Sequence, residues 1–213
     1  NLPQNLKYLT FGECFNKDVS DLPPSLTHLI FGCLFNKDVS ALPSTLTHLT
    51  FGVKFNCVIS VLPPSLTHLT FGLDFNQDVS VLPSTITHLT LGYSFNQQIT
   101  FHPNIKYLKL DCNNLDIINS LPNSIVELEL GYNFDLEINN LPTSIKKLTI
   151  DKYNYSYNKD LNSLPNFIEE LQLSYNYDKR IMNIPKNLKK LICVKHYPYK
   201  NDFAMCAIET YTS

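Results

Sequence analysis

The sequence predicts a mainly β, right-handed solenoid of about ten 20-residue coils with little helix. Three observations predict this class: prolines recur about every 20 residues, every unit contains an LxxLxL-type segment, and a small or polar turn residue follows nearly every segment. Between the prolines, no apolar pattern with a 3.6-residue period extends over the ten or more residues of a typical helix. Short strands joined by turns are therefore expected, because stacked coils bury together what one coil cannot bury alone.

The prolines define the extent of the array. They stand at Pro3, Pro23, Pro43, Pro63, Pro83, Pro103, Pro122, Pro142, Pro165 and Pro185. The interval is 20 residues as far as Pro103 and 19 to 23 residues after it. Proline lacks an N–H, so it fits a return segment that donates to no strand ladder. We assign residues 1–194 to the repeat array, which is expected to lack its N-terminal cap. Residues 195–213 break the period and are assigned to a C-terminal cap.

The third unit illustrates the pattern that predicts the core. In its LxxLxL segment, alternation places Leu49 and Phe51 on the same face of a short strand. Gly52 follows, and glycine at this position is expected to supply the unusual dihedral angles of a tight corner. Phe55 and Asn56 come next; we expect the ring to fill the core and the amide to cap backbone N–H groups that the turn leaves unpaired. The pattern is therefore that of a leucine-rich-repeat-like solenoid.

The unit "LPxSLTHLTFGxxFNxxVSxLP" closely resembles the FNIP repeat, a leucine-rich-repeat relative found in social amoebae and in giant viruses that infect amoebae. The resemblance covers residues 1–194 and weakens after residue 100, where Asn114-Leu115 replaces Phe-Asn and an insertion surrounds Tyr153–Tyr155. The unit is also similar to the short leucine-rich repeats of secreted bacterial effectors, but the Phe-Asn pair favours the FNIP repeat. Both resemblances imply a binding scaffold. FNIP arrays often follow an F-box, which implies a substrate-recruiting arm of a ubiquitin ligase.

The outward-facing strand positions are the candidate binding site. Each strand offers one side chain before and one after its second leucine-type residue, and in the first half of the chain these positions are almost free of charged residues. Because uncharged surface is less costly to desolvate, we expect a protein partner to bind there. The candidate residues are Tyr8, His28, His48, His68, His88 and Tyr107 in one column and Thr10, Ile30, Thr50, Thr70 and Thr90 in the other.

The four aligned histidines have three interpretations. Near-identical repeats can carry one stacked histidine each, with a hydrogen bond to the flanking threonine. Closely spaced imidazolium ions would repel, so the row can also act as a pH sensor. A metal site is the third interpretation, but four ligands in a line do not form a tetrahedron. The six cysteines show no CxxC spacing and are interpreted as free thiols, with a disulfide or redox pair as the alternative.

The remaining sequence features favour a scaffold over an enzyme. The sequence contains no GxSxG, P-loop or HExxH motif, and His102 and His196 have no plausible nucleophile beside them. We therefore expect no catalysis, no cofactor and no metal. A net charge of -2 and a charged fraction of 17% disfavour nucleic acid and anionic membranes as partners. The expected function is a cytoplasmic protein-interaction scaffold, acting in the host cytoplasm if viral; the alternative is a structural or self-assembling surface repeat protein.

Overall fold

The structure is a computed structural model that describes residues 2–212. It consists of two compact units, Asn1–Ile105 and Lys106–Ser213. Both units are parallel β-solenoids in which each coil contributes one short strand to a ladder. The predicted fold class is confirmed, with five repeat coils in each unit. The predicted division into an array and a terminal cap stays a prediction, and its outer limits, residues 1 and 213, lie outside the described residues.

The first unit contains five strands in an unbroken 20-residue register. They are β1 (Tyr8–Thr10), β2 (His28–Ile30), β3 (His48–Thr50), β4 (His68–Thr70) and β5 (His88–Leu91). Leu29 lies opposite Leu49 and Leu49 opposite Leu69, so each residue is paired with its own equivalent in the next coil. Chemically identical side chains are therefore stacked in columns.

The second unit contains six strands and both helical segments of the described residues. The strands are β6 (Tyr107–Leu110), β7 (Glu127–Leu130), β8 (Lys147–Ile150), β9 (Glu170–Gln172), β10 (Lys190–Val194) and β11 (Ala207–Tyr211). A short helix, α1 (Leu115–Asn119), lies in the repeat that has Asn114-Leu115 in place of the Phe-Asn pair. A 3₁₀ turn spans Lys200–Phe203. The side chain of Asn114 caps α1 by accepting from the N–H groups of Asp116 and Ile117. The strand β11 pairs in parallel with β10.

The core follows the predicted apolar columns. Phe35, Phe55, Phe75 and Phe134 are fully buried, and their neighbours Phe31, Phe51 and Phe71 are 2% exposed. The ring of Phe55 lies 6.0 Å from that of Phe35 and 5.9 Å from that of Phe75, with almost parallel planes. In the first coil, Phe11 and Phe15 are only half-buried. The expectation that this aromatic column packs in the core is confirmed.

In the first unit, the asparagine that follows the aromatic ring joins its coil to the next. The Oδ1 atom of Asn36 accepts from the backbone N–H of Asn56 at 2.9 Å, and that of Asn56 accepts from the N–H of Asn76 at 2.8 Å. The predicted capping role is therefore confirmed, although the N–H that each side chain satisfies belongs to the following coil. All six cysteines are free thiols, as the simpler interpretation expected.

The predicted reason for the turn glycines is wrong. No glycine or other residue between positions 2 and 212 has a positive φ, so the turns do not require left-handed dihedral angles. A Cβ atom placed on Gly52 would instead lie 2.1 Å from the carbonyl oxygen of Gly32. The same approach recurs at Gly72 and Gly92, where the distance to the preceding carbonyl oxygen is 2.0 Å. These glycines are needed because consecutive backbones pass too close for any side chain.

Candidate functional site

The outward face of the first unit is built on buried leucines. Leu29, Leu49, Leu69 and Leu89 are at most 1% exposed, and the residues on either side of each leucine point away from the core. One outward column comprises Tyr8, His28, His48, His68 and His88, and the other comprises Thr10, Ile30, Thr50, Thr70 and Thr90. We call this surface the His/Thr face. The alternation predicted from the sequence therefore places both columns on one surface.

The imidazole rings form a continuous stack. The centroids of His28 and His48 are 4.1 Å apart, and those of His48 and His68 are 4.0 Å apart with planes inclined by 14°. His88 continues the stack at 4.0 Å from His68. At the other end, the ring of Tyr8 lies over His28 at 4.4 Å. The spacing follows from the parallel pairing, which places neighbouring strands about 4.8 Å apart.

Threonines fix the orientation of each ring. The Oγ1 atom of Thr47 donates to the carbonyl oxygen of Thr27 at 3.1 Å and lies 2.9 Å from Nδ1 of His48. A hydroxyl group has one hydrogen, so the direction of the contact with Nδ1 depends on the tautomer of the imidazole. The same pair of contacts recurs at Thr67 and His68. The stacked, threonine-bonded interpretation of the histidines is confirmed.

The stack favours neutral histidines. Burial, together with the adjacent imidazoles of His88 and His48, lowers the pKa of His68 from its ordinary value of 6.5 to about 4. Burial also lowers the pKa of His48, with contributions from His28 and His88. His48 and His68 are therefore neutral at neutral pH. Within residues 2–212, no group of three or more histidine, cysteine, aspartate or glutamate side chains is arranged to hold a metal ion.

Acid is expected to destabilise the first unit through this stack. Because the folded-state pKa of His68 lies near 4, below the ordinary 6.5, the neutral ring stabilises the fold above pH 6.5 and this contribution is lost as the pH falls towards 4. Urea unfolding at intervals between pH 7.5 and 4 should show a falling midpoint. In the His48→Gln/His68→Gln variant, the fall should be smaller. An equal fall in both proteins would show that other groups cause it.

An apolar rim of two exposed side chains was not predicted from the sequence. Leu73 and Tyr93, which directly follow turn glycines, are 40% and 55% exposed, and the predicted site residue Ile30 is 45% exposed. The position after the glycine varies from unit to unit, so the repeat pattern alone did not single it out. Neutral imidazoles, threonine methyl groups and this rim together form a face that is inexpensive to desolvate.

Tyr107, the last predicted site residue of the first column, has a different environment in the second unit. Its hydroxyl donates to Oε2 of Glu129 at 2.7 Å, and Nζ of Lys109 lies 2.5 Å from Oε1 of the same carboxylate. Burial raises the pKa of Tyr107, and the hydrogen bond to Glu129 adds to the effect. Farther along this face, Lys147 lies 3.7 Å from both Glu127 and Glu170. The outward face of the second unit is thus ion-paired.

No helix between positions 2 and 212 has the length and apolar character needed to cross a bilayer.

Comparison with known proteins places these features in a family context. A sequence profile described as FNIP Repeat matches residues 1–34, 15–54, 35–74, 55–94, 75–102, 95–133, 113–153 and 157–193. Among solved structures, the chain is similar to CroV588 of the giant virus CroV, described as a novel circular LRR protein, with 33% identity and a TM-score of 0.63. The match covers 100% of this chain and 35% of that chain, so this chain spans about a third of its length. No curated protein matches the sequence.

Proposed function

The chain belongs to the FNIP-repeat family, and on this premise we propose that it is a non-catalytic scaffold that binds a protein partner through the His/Thr face. The leucine-rich-repeat-like fold is one that generally mediates protein binding. Solenoids present broad, shallow surfaces, which suit macromolecules better than small substrates. The proposed contact surface therefore comprises the two outward columns of the first unit.

The observation that carries the proposal is the absence of charged residues from strands β2 to β5. A partner that covers these strands removes water from imidazole rings, threonine side chains and the strand backbone, and it breaks no ion pair. On the second unit, the same strand positions hold the Lys109–Glu129 pair and the lysine at position 147 between two glutamates. Covering that face would desolvate charges, and burying charges offsets much of what their pairing contributes.

The face is also pre-organised. His28, His48 and His68 are each held between two rings of the stack and bonded to the preceding threonine. A partner therefore orders few side chains on binding, which lowers the entropic cost of association.

Adding negative charge to the stack is expected to weaken partner binding. We expect His48→Glu/His68→Glu to lose at least about tenfold in affinity, because two carboxylates would be desolvated or repelled at the contact, and about 1.4 kcal/mol corresponds to tenfold. The measurement is quantitative affinity purification from the protein's native cells, with wild type and variant as parallel baits.

The matched control adds two charges elsewhere in the same unit. Val58→Glu/Val81→Glu alters residues of the return segments that are 71% and 37% exposed, and it should retain the partner. Thermal melts establish that all baits are folded, and His48→Ala/His68→Ala separates loss of the ring from gain of charge. A partner retained equally by every variant would reject the His/Thr face. Capture of further copies of the chain alone would favour the self-assembling alternative.

A finer form of the proposal makes the array the substrate-recruiting arm of an F-box ubiquitin ligase. It is supported by family resemblance alone. Core ligase subunits among the proteins that co-purify with the full-length protein would support it, and full-length protein that captures a partner without any ligase subunit would contradict it.

A further inference from the structure

A cluster of tyrosines in the second unit lies outside the repeat pattern and outside the His/Thr face. It surrounds a cavity of about 280 Å³ lined by Lys152, Tyr153, Tyr155, Tyr175, Tyr211 and Thr212. Two of these tyrosines come from the insertion at which the repeat motif is interrupted. Tyr153 and Tyr155 are 53% and 51% exposed, so their rings are not needed to fill the core.

The tyrosine rings are inclined to one another and form the walls of the cavity. Tyr153 and Tyr155 are 6.5 Å apart with planes at 50°, and Tyr155 and Tyr175 are 5.9 Å apart with planes at 66°. Tyr211 lies 6.5 Å from Tyr175 at 37°. In the phenylalanine column of the core, by contrast, Phe55 and Phe75 are inclined by only 5°. The tyrosines therefore enclose space instead of stacking on one another.

Buried hydrogen bonds hold the backbone that carries these rings. Asn154, between the two exposed tyrosines, is fully buried and donates through Nδ2 to the carbonyl oxygens of Gly131 at 2.8 Å and Phe134 at 2.7 Å. Its Oδ1 accepts from the N–H of Tyr157 at 3.0 Å. On the other wall, the hydroxyl of Tyr211 donates to the carbonyl oxygen of Leu173 at 2.5 Å. The cavity is thus formed before any ligand arrives.

The four aromatic rings and a neighbouring carboxylate favour a cation at this cavity. The Nζ atom of Lys152 lies 4.7 Å from the centroid of the Tyr153 ring, so one π-face already holds an ammonium group. A second cavity of about 340 Å³ shares Lys152 and Tyr153 and is also lined by Asp151 and Glu129. Asp151 thus adds a carboxylate beside the aromatic walls, whereas Glu129 is already bonded to Lys109 and Tyr107. Aromatic walls bind alkylated ammonium groups through the negative faces of the rings, and a bulky cation of low hydration loses little on entering.

We propose that this tyrosine cavity binds an alkylated ammonium group, such as the head of a methylated lysine or of choline. Tyr153, Tyr155, Tyr175 and Tyr211 supply the π-faces, and Asp151 supplies a carboxylate beside them. Lys152 occupies part of the same site and competes with the ligand for the Tyr153 ring. The inference goes beyond the proposed function, since it concerns the second unit and a different chemistry.

The test compares two ligands of the same shape. Choline carries the charge, and 3,3-dimethyl-1-butanol replaces its nitrogen with carbon. In NMR titrations of the whole chain, choline is expected to shift the amide signals around Tyr153 and Tyr175 and to bind at least about tenfold more tightly than the neutral alcohol, which corresponds to about 1.4 kcal/mol. Equal binding of the two ligands, or binding of neither, would overturn the proposal.

Variants locate the site. Tyr153→Ala/Tyr155→Ala should abolish choline binding, and both rings are exposed enough for the fold to survive. Tyr132→Ala removes another tyrosine of the second unit, 53% exposed and outside the cavity lining, and should bind as wild type does. Lys152→Met should tighten binding several-fold, because it removes the competing ammonium. Choline binding unchanged in the double variant would reject this cavity.

Two larger ligands identify the source of the group. A peptide with trimethyl-lysine, compared with the same peptide carrying unmodified lysine, tests a protein source, and phosphocholine tests a lipid or metabolite source. Whichever ligand binds more tightly identifies the source of the ammonium. Failure of these titrations would not bear on the proposed binding role of the His/Thr face, because no residue of that face lines the tyrosine cavity.

Discussion

Replacing Gly52 with alanine is expected to lower the free energy of unfolding by about 3 kcal/mol, at the upper end of the usual cost of overpacking. The added Cβ atom would lie 2.1 Å from the carbonyl oxygen of Gly32 and 2.5 Å from its carbonyl carbon. Both atoms belong to the backbone, so no side-chain rotation relieves the contact. The two coils must separate locally, which disturbs the ladder bonds on either side, such as the one from the N–H of Lys54 to the carbonyl oxygen of Cys33 at 2.9 Å.

The array contains its own control for this substitution. At Gly12, a Cβ atom would meet no other atom within 4 Å, so Gly12→Ala should change the free energy of unfolding by no more than about 0.5 kcal/mol. Both variants are measured by urea unfolding followed by circular dichroism. Equal losses at the two positions would indicate that the glycines act through their backbone dihedral angles, which is the role predicted from the sequence alone.

Removing one buried ring is expected to cost about 3–5 kcal/mol, the range for phenylalanine-to-alanine changes in protein cores. Phe55 is the test residue: it is fully buried and has rings on three sides, with that of Phe51 at 3.7 Å. Neighbouring coils are held in register by their backbones, so the rings of Phe35 and Phe75 cannot close the gap. The cavity left by the ring therefore persists and adds to the lost burial.

Chemical denaturation distinguishes this core effect from a general intolerance of substitution. Val58 lies three residues after Phe55 and is 71% exposed, so Val58→Ala should be nearly neutral. Phe55→Leu should recover more than half of the loss, because leucine refills most of the volume with apolar atoms. A Phe55→Ala protein as stable as wild type would contradict the core assignment of the whole aromatic column.

The periodic part of the structure was accessible from the sequence. The positions of Leu49 and Phe55 in the core, and of His48 on the outer surface, follow from the alternation of a strand and from the 20-residue repeat. Once the period is known, parallel stacking places equivalent residues beside each other, so the imidazole stack and its threonine bonds also follow. Periodicity encodes neighbours because every coil repeats the same path.

The aperiodic features were not accessible in the same way. The helix Leu115–Asn119 is five residues long, too short to produce a recognisable helical pattern, although the break at Asn114 was visible. The tyrosine cavity combines an insertion with Tyr175 and Tyr211, which are distant in sequence and related by no repeat. The role of Gly52 was misjudged because a sequence shows where glycine recurs but not how closely two backbones approach.

The constant register within the first unit makes its coils interchangeable. Removing residues 41–60 in frame would bring Gly32 against Gly72 and Phe35 against Phe75, which are the same pairs of residue types as before. Asn36 would accept from the N–H of residue 76 as it now accepts from that of Asn56. Recombination between the near-identical stretches of such a gene can thus shorten or lengthen the array by whole coils, while each remaining junction keeps its chemistry. The number of histidines on the His/Thr face is therefore free to vary without redesign of the core.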